Sequence, residues 1–269
     1  MLDLTPFRDP RFAIPTTGYI RLKDPEGPPP KAAAGADMTP QQLSSFNEHG
    51  YLLLRGAIPA KSLNKVRNDI LDELKRLNMW ASGKRLSALN KTLTPFQETV
   101  KISSSIRHEH LHNKLLPDQI TALLPKLAGR DLAFTHQQLL ISLPNQGAWS
   151  LAGLNWHTDV APSSSDLVPG IQAFILIDKV KTHGGGTLAL AGSHLFNRRN
   201  NLRGKAGEIL RAGGDVTQLG PNISIVEMSG EAGDVYLMDM RVLHAPSINA
   251  THNVRIMATV RYLAKEARM

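Results

Sequence analysis

From Pro59 to Leu77 the apolar residues Leu63, Val66, Ile70, Leu74 and Leu77 return every three or four positions, the stripe that one helix face buries. Upstream, "MTPQQLSSFNEHGY" carries its own helix punctuation: Thr39 as N-cap, Pro40 in the first turn and Gly50 just past the end, followed by a short strand "YLLLR". "PDQITALLPKLAG" reads as a further helix. After Leu132 the pattern changes to short apolar runs separated by Gly, Pro and Asn turns: "HQQLLISL", "GLNWHTD", "IQAFILIDKV", "GTLALAG", "ISIVEM", "DVYLMD", "RVLHAP" and "VRIMATVRYL". Strand candidates in such succession predict a mainly β structure, closed or double-sheeted, with helices packed outside. Residues 24–37, "DPEGPPPKAAAGAD", read as a linker, so the expected organisation is an N-terminal extension over 1–37 and one folded domain over 38–269.

Composition narrows the chemistry. The 269 residues, 42% hydrophobic and 20% charged, suit one sizeable core, and no apolar run approaches a membrane span. The opening "MLDLTPFRDP" lacks a basic head followed by an apolar stretch, so a cytoplasmic location is the expectation. Without any Cys, a metal would have to sit on His, Asp or Glu. The net charge of +8 admits a polyanion or an anionic metabolite as partner. Its densest cluster, "RRNNLRGK" at 198–205, has no interleaved aromatic residues for base stacking, which argues against nucleic acid and for a small-molecule substrate.

"NWHTD" at 155–159 sets His157 and Asp159 two positions apart, on one face if the segment is extended. "RVLHAP" offers His244 as a third ligand from another strand. Two imidazoles and one carboxylate on one side of an ion leave three positions open, the arrangement of non-haem Fe(II) oxygenases. In "VRIMATVRYL" the alternation sends Val254, Ile256, Ala258 and Val260 to one face and Arg255, Met257, Thr259 and Arg261 to the other. An inward Arg255 would be costly to bury unless it met an anion, and its planar fork suits a carboxylate.

With His157, Asp159, His244 and Arg255 in place, the chain resembles the phytanoyl-CoA dioxygenase-like group of Fe(II)/2-oxoglutarate oxygenases. "MTPQQLSSFNEHGYLLLRGAI" looks like the group's opening helix and strand, "HGGGTLALAGSH" like its turn-strand-Gly-Ser-His segment, and "GDVYLMDMRVLHAP" like its penultimate strand. The resemblance implies a double-stranded β-helix (jelly roll, cupin-like) that binds Fe(II), 2-oxoglutarate and O2. It further implies metal ligands His157, Asp159 and His244, Arg255 on the distal carboxylate of 2-oxoglutarate, and hydroxylation coupled to release of succinate and CO2. Similar halogenases replace the carboxylate ligand with a small residue, whereas Asp159 is present. The resemblance also points to Gln137 and Lys101 as co-substrate contacts. Many members carry Ser two residues after the distal His; here Pro246 stands there, followed by Ser247.

Other readings stay open on the residues alone. A zinc hydrolase could use the same two His and one Asp, and a non-catalytic jelly-roll binding module could keep the fold. "HGGGT" at 183–187 suits an oxyanion loop, but no Gly-x-Ser-x-Gly elbow accompanies it, so a tight turn is expected. "RHEHLHN" spaces His108, His110 and His112 alternately and reads as a solvated cluster. Trp149, the loop from Pro162 to Asp166, and Arg198, Arg199 and Arg203 are lid candidates, with solvated surface the simpler role.

Overall fold

A computed structural model of the chain describes residues 38–86, 93–106, 115–144, 146–160, 167–198 and 202–265. The linker expected over 1–37, the histidines of "RHEHLHN", Arg199 and the 162–166 loop lie outside the described residues.

Helix α1 (Pro40–His49) begins where the sequence places it: Thr39 Oγ1 accepts from Gln42 N while Gln42 Oε1 accepts from Thr39 N, a reciprocal capping box. It ends at Gly50, whose φ of 79° closes the helix in the left-handed region. Strand β1 (Tyr51–Leu54) follows, then α2 (Ala60–Arg76), which buries Leu63, Val66, Ile70 and Leu74. A two-residue hairpin, β2 (Trp80–Ala81) and β3 (Lys84–Arg85), leads to α3 (Pro95–Ser105). The helix expected over "PDQITALLPKLAG" is two: α4 (Asp118–Thr121) and α5 (Leu124–Ala128). Pro125 accounts for the break, since it has no N–H to donate and its ring crowds the carbonyl four residues back.

The remaining strands are β4 (Ala133–Ser142), β5 (Gly170–Leu176), β6 (Thr187–Ala191), β7 (Ser224–Glu227), β8 (Val235–Asp239), β9 (His244–Pro246) and β10 (Arg255–Leu263), with α6 (Leu202–Arg211) between β6 and β7. They form a five-stranded sheet, β1-β8-β5-β10-β4, and a three-stranded sheet, β7-β6-β9, with every pairing antiparallel. "GLNWHTD" makes no strand of its own; His157 forms a single bridge to His244.

Burial follows the alternation read from β10. Val254, Ile256, Ala258 and Val260 join Leu139, Ile141, Ile171 and the apolar stripe of α2 in the main core, on the helix-covered side of the large sheet. Met257 packs instead with Phe174, Leu176, Tyr236 and Met238, on the side turned toward the small sheet. A third cluster of Leu190, Phe196, Leu210 and Leu243 seats α6 behind the small sheet. The two sheets thus face each other across a lined interior, the position every residue of the site below depends on. Among the described residues no helix is long and apolar enough to cross a membrane.

Ile70 is fully buried where α2 meets the large sheet. Ile70→Ala should therefore lower the unfolding free energy by about 2–5 kcal/mol through lost transfer energy and the cavity left behind. Urea denaturation measures it, and an unchanged midpoint would mean that α2 does not pack as described.

Candidate active site

The segment holding His157 and Asp159 is tied to the small sheet by its backbone. His157 N donates to His244 O and His244 N to His157 O, both at 2.9 Å, and Asp159 N donates to Met240 O at 3.1 Å. The partner segment is held in turn by a buried ion pair: Arg241 donates to both carboxylate oxygens of the fully buried Asp239, with Nη2 to Oδ2 at 2.6 Å. Asp239 N donates to Gly50 O, so the end of α1 braces the turn that leads into β9.

Each imidazole is oriented by its own main chain. His157 Nδ1 lies 2.9 Å from Asn155 O, and His244 Nδ1 lies 3.0 Å from Val242 O. A carbonyl only accepts, so each Nδ1 carries the hydrogen, which leaves Nε2 as the ring atom turned away from the main chain and able to act as a ligand. Burial pushes His244 well below the ordinary imidazole value, against the pull of Asp159, which keeps its ring neutral at pH 7. Asp159 Oδ1 accepts from Arg261 Nη2 at 2.7 Å. Its Oδ2 is buried without a hydrogen-bond partner and stands 3.5 Å from His244 Nε2. One ligand atom from each of His157, Asp159 and His244 lies within 4.8 Å of the others, a group able to hold a metal ion.

Arg255 opens β10 on the inward face, 2% exposed. One of its terminal nitrogens donates to Gly185 O, whereas Nε is buried with no partner. Burial lowers its pKa to about 10, opposed by the nearby Glu227, so it stays a cation at pH 7. Glu227 is itself pushed up to about 7 by burial, in spite of backbone hydrogen bonds from His183 and Gly186 and the charge of Arg255. The "HGGGT" turn supplies these contacts. Gly185 has a φ of 81°, and a Cβ there would come within 2.9 Å of Ser142 Oγ. The loop between His244 and Arg255 is braced by the fully buried Asn249, which donates to Asn253 O at 2.8 Å and accepts from Thr251 N and Oγ1.

Between the sheets lies a cavity of about 510 Å3 bordered by His157, His244, Arg255, Arg261, Phe174 and Thr187 on the sheet side and by Phe96, Val100 and Ser103 from α3. This layout has known counterparts. Residues 46–257 match the model of the phytanoyl-CoA dioxygenase family. The chain belongs to that family. No curated protein matches the sequence significantly. Among solved structures, AviO1 from Streptomyces viridochromogenes superposes with a TM-score of 0.58 at 15% identity, over 85% of this chain and 96% of that one. The non-haem α-ketoglutarate-dependent carbocyclase SnoK from nogalamycin biosynthesis gives 0.55 at 18%, over 84% of each chain. HygX from Streptomyces hygroscopicus, with nickel, 2-oxoglutarate and hygromycin B bound, gives 0.52 at 17%, over 85% of this chain and 88% of that one. These likenesses show the fold, a jelly roll of two antiparallel sheets with flanking helices.

Within this family frame, strand register sorts the remaining expectations. Gln137 pairs with Val260, on the core face of β4, whereas Gln138 pairs with Thr259, on the inward face shared with Arg255 and Arg261. Both glutamines border the cavity, but the one aimed between the sheets is Gln138. Lys101 is exposed on α3 and does not border the cavity, although Thr99, Val100, Ser103 and Ser104 of the same helix do. Its helical phase turns it outward, away from the residues of α3 that border the cavity. Ser247 is occupied as a donor to Gly186 O at 2.7 Å, and opposite Pro246 stands Thr187, which borders the cavity. Arg203 donates to Thr158 Oγ1, Trp149 stacks on His183, and His194 reaches Asn47 O from the "GSH" turn. Spacing did not single out Glu227, Gln172 or the pairing of Arg261 with Asp159, since each depends on which strand lies opposite.

Glu227 generates a pH signature. Its folded-state pKa, about 7, lies above the ordinary 4.5, so the unfolded chain ionises first as pH rises. The native state is therefore expected to lose stability between pH 4.5 and 7, on the order of 3 kcal/mol from this group. Glu227→Gln should flatten that part of the profile in urea denaturation; an unaltered slope would show that Glu227 is not the group responsible.

Proposed function

We propose that this protein is a non-haem Fe(II)/2-oxoglutarate-dependent oxygenase that hydroxylates a small molecule, with His157, Asp159 and His244 as the metal ligands. The observation that carries the reading is Asp159 Oδ2, a buried carboxylate oxygen with no hydrogen-bond partner beside two imidazoles whose Nε2 atoms are turned away from the main chain and able to act as ligands. A buried carboxylate oxygen without a donor is costly, and a divalent cation removes that cost. The donor set of two nitrogens and one oxygen fits ferrous iron with open positions. Membership of the phytanoyl-CoA dioxygenase family supports the same assignment, and so does the nickel and 2-oxoglutarate held by the structurally similar HygX.

Bound there, Fe(II) with O2 would supply the oxidation: 2-oxoglutarate leaves as succinate and CO2 while a substrate C–H becomes C–OH. The protein's own part is placement. Arg255 meets the distal carboxylate of 2-oxoglutarate through its unpartnered Nε, and Ser142 Oγ and Thr259 Oγ1, buried without partners on the same inward face, offer further hydrogen bonds. Thr187, across from Pro246, takes the place of the family's serine. Gln138 rather than Gln137 is the amide on that side. Phe96, Val100, Leu140 and Phe174 give the cavity apolar walls that seat the substrate. Hydroxylation is the outcome proposed because Asp159 occupies the position that halogenases vacate. Hygromycin B, bound in HygX, is a precedent for a small-molecule ligand in this fold.

The test is anaerobic addition of Fe(II), then 2-oxoglutarate, to metal-free protein. A weak visible charge-transfer band that disappears on admitting oxygen, with succinate formed, is the expected result; no band, or tight zinc with no oxygen response, would move the assignment to a hydrolase or a binding module. Asp159→Ala should abolish the band. Arg255→Ala should raise the concentration of 2-oxoglutarate needed by about 10- to 100-fold, the worth of hydrogen bonds to a charged group; an unchanged requirement would remove Arg255 from the co-substrate site.

A further inference from the structure

Arg261 lies six residues beyond Arg255 on the same face of β10, and two of its nitrogens are engaged with protein groups. Its Nη2 donates to Asp159 Oδ1 at 2.7 Å and its Nε to Gln172 Oε1 at 2.9 Å. Gln172 is directly opposite Arg261 on β5 and is 2% exposed, so the guanidinium is clamped from two sides. Asp159 offers no other oxygen to this clamp: Oδ1 is occupied and Oδ2 has no partner. A carboxylate held this way cannot turn about its Cβ–Cγ bond without breaking a charge-assisted hydrogen bond.

We propose that Arg261, held by Gln172, is a positioning residue for the metal site: it fixes Asp159 as a one-oxygen ligand through Oδ2. The proposal rests on the reading of Asp159 as a ligand. Two effects of the arginine oppose each other. Its positive charge repels a metal cation, whereas its hydrogen bond orders the ligand that binds the cation. Partial exposure of the Arg261 side chain, 28%, weakens the first through solvent screening and leaves the geometry of the second intact. Outer-shell partners of this kind carry about 10- to 100-fold in metal affinity.

Co(II) titration of metal-free protein, followed by its visible d–d absorption, separates the possibilities without any need for substrate. Wild type should bind Co(II), and Asp159→Ala should bind it far more weakly. Arg261→Met should weaken binding about 10- to 100-fold and alter the band shape, with Arg261→Lys recovering part of the affinity. Gln172→Leu, which keeps the charge and loosens the clamp, should weaken binding in the same direction by less, and it serves if the Met variant fails to fold. Equal or tighter binding by Arg261→Met, or by Gln172→Leu where the Met variant is not folded, would overturn the positioning role while leaving the ligand assignment intact. A wild type that binds no Co(II), or an Asp159→Ala variant that binds it equally well, would overturn both.

Discussion

The reciprocal backbone pair between His157 and His244 holds the rest of the site in place. The two histidines are 87 positions apart, and the segment around His157 has no ladder of its own. Two peptide hydrogen bonds nevertheless bring the rings to a centroid separation of 4.3 Å. Because the bonds are made by main chain, the side chains remain available, and their Nδ1 atoms are spent on nearby carbonyls rather than on each other. Asp159 enters by the same route, since its N–H is fixed on Met240 O. The candidate ligand set is thus a product of edge pairing onto a short strand.

A second constraint is electrostatic. The interior between the sheets contains a buried guanidinium, Arg255, and a buried carboxyl, Glu227, that feel each other's charge without forming an ion pair. Burial acts on both in the direction that removes charge, but a guanidinium starts far above neutrality and remains a cation, whereas the carboxyl is brought to the point of holding its proton. The result near pH 7 is a cationic end of the cavity with incompletely satisfied donors, an environment in which a dianionic guest is stabilised. The glycine turn completes it by presenting a carbonyl to Arg255 where any side chain would collide with Ser142 or Asn249.

The legible parts of the site are those encoded locally. His157 and Asp159 are two positions apart, and Arg255 sits in a strand whose alternation already separates core from interior. The faces that Gln137 and Lys101 present are not encoded locally. A one-residue choice between Gln137 and Gln138 is decided by pairing with β10, because neighbouring strand residues point to opposite faces. Lys101 depends on the rotation of α3 about its axis, and "PFQETVKISSS" carries too mixed a pattern to reveal its buried face. The helix expected over 117–129 divides for a related reason: its apolar spacing runs on across Pro125, which interrupts the backbone ladder.

By itself the sequence determined the class of fold, the stripe of α2, the cap of α1, the two faces of β10, and the short list of groups able to bind a metal. Each of these follows from backbone periodicity or side-chain chemistry within a few residues. Only the tertiary structure decided that His244 lies beside His157, that Asp159 keeps one oxygen free because Arg261 takes the other, and that Gln172 holds Arg261 in place. Those are contacts between strands far apart in the chain, set by sheet register, and register is fixed by the summed packing of both faces rather than by any one residue's neighbours.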